Sequence, residues 1–149
     1  MNEFERCIEK GRLISVDIGP AQLAHELDEA SKDHVQAERR FTAGRFEDAS
    51  VHAYHAMYHA ARTLLLARGY RERNLYCLAA GLRHHYVSQG MLDDSLLKLL
   101  AQLKDVRDRI QNGGPSNRGE AQSAVAASSA MLDRARVLMA AEPGAAGEG

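Results

Sequence analysis

The chain has 149 residues and a mass of 16.4 kDa, one ordinary domain in size and long enough to bury a core without relying on disulfides or a structural metal. Hydrophobic residues at 45% and charged residues at 26% exclude a disordered tail protein and a collagen-like repeat. The net charge of −1 excludes a global field that would draw the molecule onto nucleic acid or an anionic membrane, so any such contact must be local.

The first 18 residues are a lead-in. Phe4, Cys7 and Ile8 suit a short leading helix, and Leu13 to Ile18 suit an extended segment packed on the bundle. The start has neither a basic leader nor an apolar run, and no stretch is apolar enough to span a bilayer. With no C-x-x-C pair and no neighbouring ligand set, Cys7 and Cys77 read as two free thiols in a cytoplasmic protein.

Residues 19–141 read as a helical bundle. Pro20 comes directly after Gly19 and suits the first position of a helix on which Leu23, Leu27, Ala30, His34, Ala37 and Phe41 share a face. Gly44 provides a left-handed stop. A second helix runs from about Phe46 to Arg68, with a small-residue stripe of Ala49, Ala53, Ala56, Ala60, Leu64 and Ala67, and ends at Gly69. A third, from about Arg73 to Gln89, carries Leu75, Leu78, Leu82 and Tyr86 and stops at Gly90. Asp93 or Asp94 caps a fourth, lined by Leu96, Leu100, Leu103, Val106 and Ile110, which Gly113, Gly114 and Pro115 break. Asn117 and Glu120 form a capping-box pattern ahead of a fifth helix that aligns Ala121, Val125, Ser128, Leu132, Ala135 and Met139. No stretch alternates long enough to predict a strand. The tail, residues 142–149, is Gly, Ala, Pro and Glu and is expected to be disordered. The expected fold is an all-α antiparallel up-and-down bundle of four to five helices, since short connections make sequential helices neighbours.

Three features carry potential chemistry. His52, His55 and His59 share a face of the second helix, a spacing that suits zinc, but the other helices provide no Glu-x-x-His partners. No metal or other cofactor is therefore expected, and the histidines read as polar members of a core or subunit face. Second, the basic residues are almost all Arg, with only Lys10, Lys32, Lys98 and Lys104 as lysine. From Arg62 through Arg68, Arg71, Arg73 and Arg83, Glu72 is the sole acidic counterweight, whereas the first helix is the reverse, with Asp17, Glu26, Asp28, Glu29, Asp33 and Glu38 against Lys32. Such polarity either cancels across the bundle or a dimer, or leaves a local phosphate-binding patch. Third, the fourth helix ends Val106-Arg107-Asp108-Arg109-Ile110-Gln111-Asn112-Gly113-Gly114. An Arg with a polar side chain five residues on, beside a glycine-rich turn, suits a phosphate or a facing subunit, and an Arg there also complements the helix dipole.

The run Ala53-Tyr54-His55-Ala56-Met57-Tyr58-His59-Ala60-Ala61-Arg62-Thr63-Leu64-Leu65, with Ala43-Gly44-Arg45-Phe46-Glu47-Asp48-Ala49 before it and Gly69-Tyr70-Arg71-Glu72-Arg73 after it, resembles small stand-alone HEPN-domain proteins from about Ala21 to Gly113. The resemblance implies a homodimer formed through the helices bearing these motifs, with Tyr54, His55, Tyr58 and His59 on a dimer or core face. Active members of that family are metal-independent ribonucleases with an R-x4-6-H motif, in which Arg steadies a phosphate and His moves a proton. Arg107 and Asp108 match the start of the motif, but the places where its histidine would fall hold Asn112, Gly113 and Gly114, and no histidine occurs after His85. Asn112 can hydrogen-bond a phosphate but cannot shuttle a proton near neutral pH. The tyrosine that a partner nucleotidyltransferase modifies in some family pairs is also missing. The resemblance thus implies a non-catalytic module that binds RNA, a nucleotide or a partner protein through Arg107, Arg109, Asn112, Arg62 and Arg71, in a toxin–antitoxin or defence setting. The alternatives are a ribonuclease toxin with a substituted base, such as His55 or His59, and a structural adaptor of a larger assembly.

Overall fold

A computed structural model describes residues 1–141. Its elements are α1 (Glu3–Glu9), β1 (Leu13–Ser15), α2 (Pro20–Thr42), α3 (Phe46–Ala67), β2 (Tyr70–Glu72), α4 (Leu75–Leu82), a π-helical turn (Arg83–Val87), α5 (Asp94–Gln111) and α6 (Arg118–Ala140). The all-α bundle expected from the periodicities is what forms. The tail expected to be disordered, residues 142–149, lies outside the described residues.

The ends of the helices obey local chemistry. The side chains of Asn2, Asn74, Asp93 and Asn117 accept hydrogen bonds from the backbone N–H groups of Glu5, Cys77, Ser95 and Glu120, satisfying donors that a helix start leaves open. The capping box at Asn117 closes on one side only, because the Glu120 carboxylate turns to Arg109 and Ser116 instead. Gly44 and Gly69 take φ of 77° and 86°, the left-handed geometry that lets the chain leave α2 and α3 within a few residues.

α3 is the central helix and packs against α2, α4, α5, α6 and β2. Its alanines meet alanines: Ala49, Ala53, Ala56, Ala60 and Ala61 are fully buried, as are Ala30 and Ala37 of α2 and Ala121, Ala124 and Ala135 of α6. Small side chains on facing helices let the axes approach closely. Leucines fill the rest of the core, with Leu64, Leu65, Leu78, Leu82, Leu100 and Leu132 all out of solvent, each contributing about 1.5–3 kcal/mol by burial. Tyr86 is the bulkiest fully buried side chain. Its hydroxyl donates to the Leu64 carbonyl at 2.7 Å, so its one polar atom is satisfied inside the core.

Three expectations are corrected. The third predicted helix is not uniform, since α4 gives way after Leu82 to the π-helical turn that carries Tyr86 inward. Strands do occur: β1 and β2 pair antiparallel, Leu13 opposite Glu72, Ile14 opposite Arg71 and Ser15 opposite Tyr70. At three residues each they are too short to show alternation, and the pairing is decided by segments far apart in the chain. Finally, Cys7 and Cys77 are not free thiols. They form a disulfide across 70 residues of sequence, because α1 lies against α4 and brings the two buried sulfurs together.

Candidate functional site

The seam between α3 and α5 gathers most of the candidate residues. Tyr54, Tyr58 and Arg62 recur every four residues on α3, so they lie along one stripe of the helix. Arg107 of α5 sits over the Tyr54 ring at 4.9 Å, the Tyr54 and Tyr58 rings are 5.9 Å apart, and Arg62 lies over Tyr58 at 5.0 Å. The result is a ladder of cation, ring, ring, cation. Each cation–ring contact is worth about 0.5–1 kcal/mol when exposed and about 2 when desolvated.

Glu72 of β2 closes the ladder. Its side chain is only 1% exposed; it accepts from Arg62 Nη2 at 2.7 Å, from Arg62 Nε at 3.1 and 3.3 Å, and from the Tyr58 hydroxyl at 2.7 Å. Burial opposes the charge of Arg62, but the hydrogen bonds and charge of Glu72 outweigh it and hold the guanidinium above its ordinary pKa. Burial and the Glu72 hydrogen bond push Tyr58 well above the usual tyrosine value. Arg62, expected as an RNA- or nucleotide-binding residue, is thus ion-paired to Glu72 within the chain.

At the other end, Arg107 keeps 22% of its side chain in solvent. Its Nε donates to Asp108 Oδ1 at 2.9 Å, and Lys104 Nζ reaches Asp108 Oδ2 at 2.7 Å. Asp108 therefore shares its one negative charge between two cations. Burial raises the pKa of Tyr54, against the opposing charges of Arg107 and Lys104. His55 lies beside Tyr54, ring to ring at 5.5 Å, and its pKa is lowered mainly by burial, with Asp33 opposing the shift and Arg107 adding to it.

The other histidines face the acidic helix. His59 Nδ1 is 3.0 Å from Glu26 Oε2 and its Nε2 is 3.8 Å from Asp33 Oδ2, while His52 Nδ1 lies 3.5 Å from Asp33 Oδ1 without hydrogen-bond alignment. Of the α2 acids, Glu26 and Asp33 thus face α3 histidines, while Asp28 and Glu29 lie beside Lys32, and Glu38 beside His34, on α2 itself. Among the described residues no group of three or more His, Cys, Asp or Glu side chains is arranged to hold a metal.

The remaining sequence candidates are elsewhere. Asn112 is the exposed C-cap of α5, about 140° around the helix from Arg107 at 100° per residue, so the two do not share a face. Arg109 pairs with Glu120 of α6. Arg71 stands exposed on β2, beyond the C-terminal end of α3. The sequence groups Tyr54, His55 and Tyr58 on one dimer or core face and Arg107 with Arg62 as ligand contacts, but it does not bring the two sets together and gives Lys104 no role. Glu72 was visible only as a lone acid among arginines, a pattern that suits a buried partner for one of them.

Fold and seam together define a small all-α bundle module with a cation–aromatic seam between its central helix and α5. The chain belongs to the HEPN domain family: the family model described as HEPN domain matches residues 25–138, about three quarters of the sequence. A comparison with curated proteins finds no match. The matched region takes in α3 and α5, and so the whole Arg107 seam, but leaves α1 and β1 outside it. Among the described residues no helix is long and apolar enough to cross a membrane.

Proposed function

We propose that this chain is a non-catalytic HEPN module that works as a homodimer and holds a phosphate-bearing ligand, RNA or a nucleotide, against Arg107. The observation that carries this reading is the setting of Arg107: stacked on Tyr54, flanked by Lys104, partly open to solvent, and without a histidine at the position where the ribonuclease motif requires one. The ring fixes the guanidinium plane while Asp108 offsets only part of the local positive charge. Such an Arg can receive a phosphate through its remaining N–H groups. The likeness to stand-alone family members supports a toxin–antitoxin or defence setting with a nucleotidyltransferase-type partner. Equilibrium binding of RNA and of nucleotides across a salt series tests the site. Arg107→Ala is expected to weaken binding about tenfold and to reduce the salt dependence by one phosphate contact. Binding that Arg107→Ala leaves unchanged refutes the site, and a stable protein complex without nucleic acid favours an adaptor instead.

A second reading has its own observation. His55 is half-buried beside Tyr54, and its pKa is lowered by burial and by the charge of Arg107, which suits a general base substituting for the missing motif histidine. If so, RNA is cleaved in EDTA by the wild type and by neither Arg107→Ala nor His55→Gln. Equal cleavage by all three proteins indicates a contaminant.

A further inference from the structure

The outer face of the β1–β2 ribbon, on the side of β2 away from the Glu72 side chain, carries a second concentration of charge. In the β1–β2 ribbon, Leu13 and Glu72 point inward and are buried, so alternation turns Arg12, Ile14, Arg71 and Arg73 outward. Arg73 N–H donates to the Arg12 carbonyl at 3.0 Å, which sets these two arginines opposite each other. Arg71 lies two residues from Arg73, about 6.7 Å along the strand. All three arginines are exposed, and none has an ion-pair partner among the described residues. Like charges directly opposite on a ribbon are destabilising, so the fold bears a cost here that an anion would relieve.

A groove of about 240 Å³ adjoins this face, beside the Cys7–Cys77 disulfide, and is lined by Arg6, Lys10, Arg12, Tyr76 and one carboxylate, Glu3. Helical periodicity turns Glu5 and Glu9 to the opposite side of α1 from Cys7. Arg6 Nη2 donates to the Met1 carbonyl, and Tyr76 is 59% exposed with no ring partner among the described residues. The disulfide holds α1 against α4, so these groups are arranged before any ligand arrives.

We infer that this groove and the outer face of the ribbon bind single-stranded nucleic acid, with phosphates on Arg12, Arg71 and Arg73 and a base stacked on Tyr76. A row of unpaired cations with an exposed aromatic ring beside it is the arrangement that tracks a nucleic-acid strand. The spread of charge over two strands and a helix exceeds what one free phosphate would use, and the exposed ring favours a base over an acidic peptide. The site stands about 20 Å along α3 from the Tyr54 rung, counting 1.5 Å per residue from Tyr54 to Ala67, and does not depend on the Arg107 reading.

The test is an anisotropy titration of the full chain with a labelled oligouridylate of about a dozen nucleotides, a length within the usual site sizes, over a salt series. Wild type is compared with the triple variant Arg12→Glu, Arg71→Glu, Arg73→Glu, with Tyr76→Ala and with Arg107→Ala, each checked for helical content and cooperative melting. The triple variant is expected to weaken binding at least tenfold and to flatten the slope of log affinity against log salt by about two, from roughly 0.7 for each of three contacts. Tyr76→Ala is expected to weaken binding about tenfold with the slope unchanged. Arg107→Ala reports on the seam alone, so failure of one site is distinguishable from failure of the other. A triple variant that binds as tightly as wild type overturns the assignment. So does a wild type that binds polyglutamate as tightly as the oligonucleotide, which would give the face to an acidic protein, or one that binds neither probe.

Discussion

Glu72 offers the sharpest quantitative test, because one carboxylate ties β2 to α3 and closes the seam. Glu72→Ala removes three contacts of 3.3 Å or less from Arg62 and the 2.7 Å acceptor of the Tyr58 hydroxyl. Breaking a buried ion pair by deleting one partner costs about 3–5 kcal/mol when the other charge is left stranded. Arg62 retains 22% of its side chain in water and can turn outward, so the lower end applies, about 3 kcal/mol. For a chain of this size that is a fall in Tm of about 6–12 °C, readable by calorimetry or by urea unfolding tracked with circular dichroism. The double variant Arg62→Met, Glu72→Leu is expected to lose less than Glu72→Ala alone, since an apolar pair carries no desolvation penalty. Two results refute the reasoning: a Glu72→Ala protein within about 1 kcal/mol of wild type, or a double variant less stable than the single one. The first would mean that water reaches the pair, and the second that the loss is one of packing.

The same geometry sets other outcomes. Thiol titration of the native protein without reductant is expected to find no free cysteine, and replacing both Cys7 and Cys77 by Ser to cost about 4 kcal/mol from the loop-closure entropy of a 70-residue separation; an unfolding midpoint that does not change on reduction would refute this. His55 has a lowered pKa in the fold, so the unfolded chain takes up the proton first as pH falls. Its contribution is present above the ordinary histidine value of 6.5 and is lost on acidification below it, and His55→Phe should flatten that decline. Imidazole NMR titration checks the direction, and a His55 that protonates above 6.5 would contradict it. Tyr58 supplies the alkaline counterpart: its raised pKa favours the fold below the ordinary tyrosine value, and that stability is lost as pH rises past it, which Tyr58→Phe should abolish.

Much of the architecture was legible because it depends on local chemistry. Helix-length apolar periods separated by Gly and Pro located α2, α3, α5 and α6 to within a few residues, and the caps at Asp93 and Asn117 were visible as residue types at the right offset. The π-helical turn after Leu82 was not, since the apolar spacing of Leu75, Leu78, Leu82 and Tyr86 looks the same whether the last turn is tight or wide. The β ribbon escaped because three-residue strands have no readable period. At the site, the four-residue spacing of Tyr54, Tyr58 and Arg62 was in plain view, but the rung above it comes from α5 and the one below it from β2.

By itself the sequence determined the helical content, the alanine-lined central helix and the missing motif histidine, all of which depend on residue type at short range. Only the tertiary structure decided which charges are spent and which remain open. Arg62 and Arg71 are nine residues apart in one basic stretch, yet Glu72 engages the first inside the protein while strand alternation turns the second out to solvent. The two cysteines likewise became a disulfide only when α1 met α4. Charge pairing and disulfide formation depend on distances between segments far apart in sequence, and those distances exist only after the chain has packed.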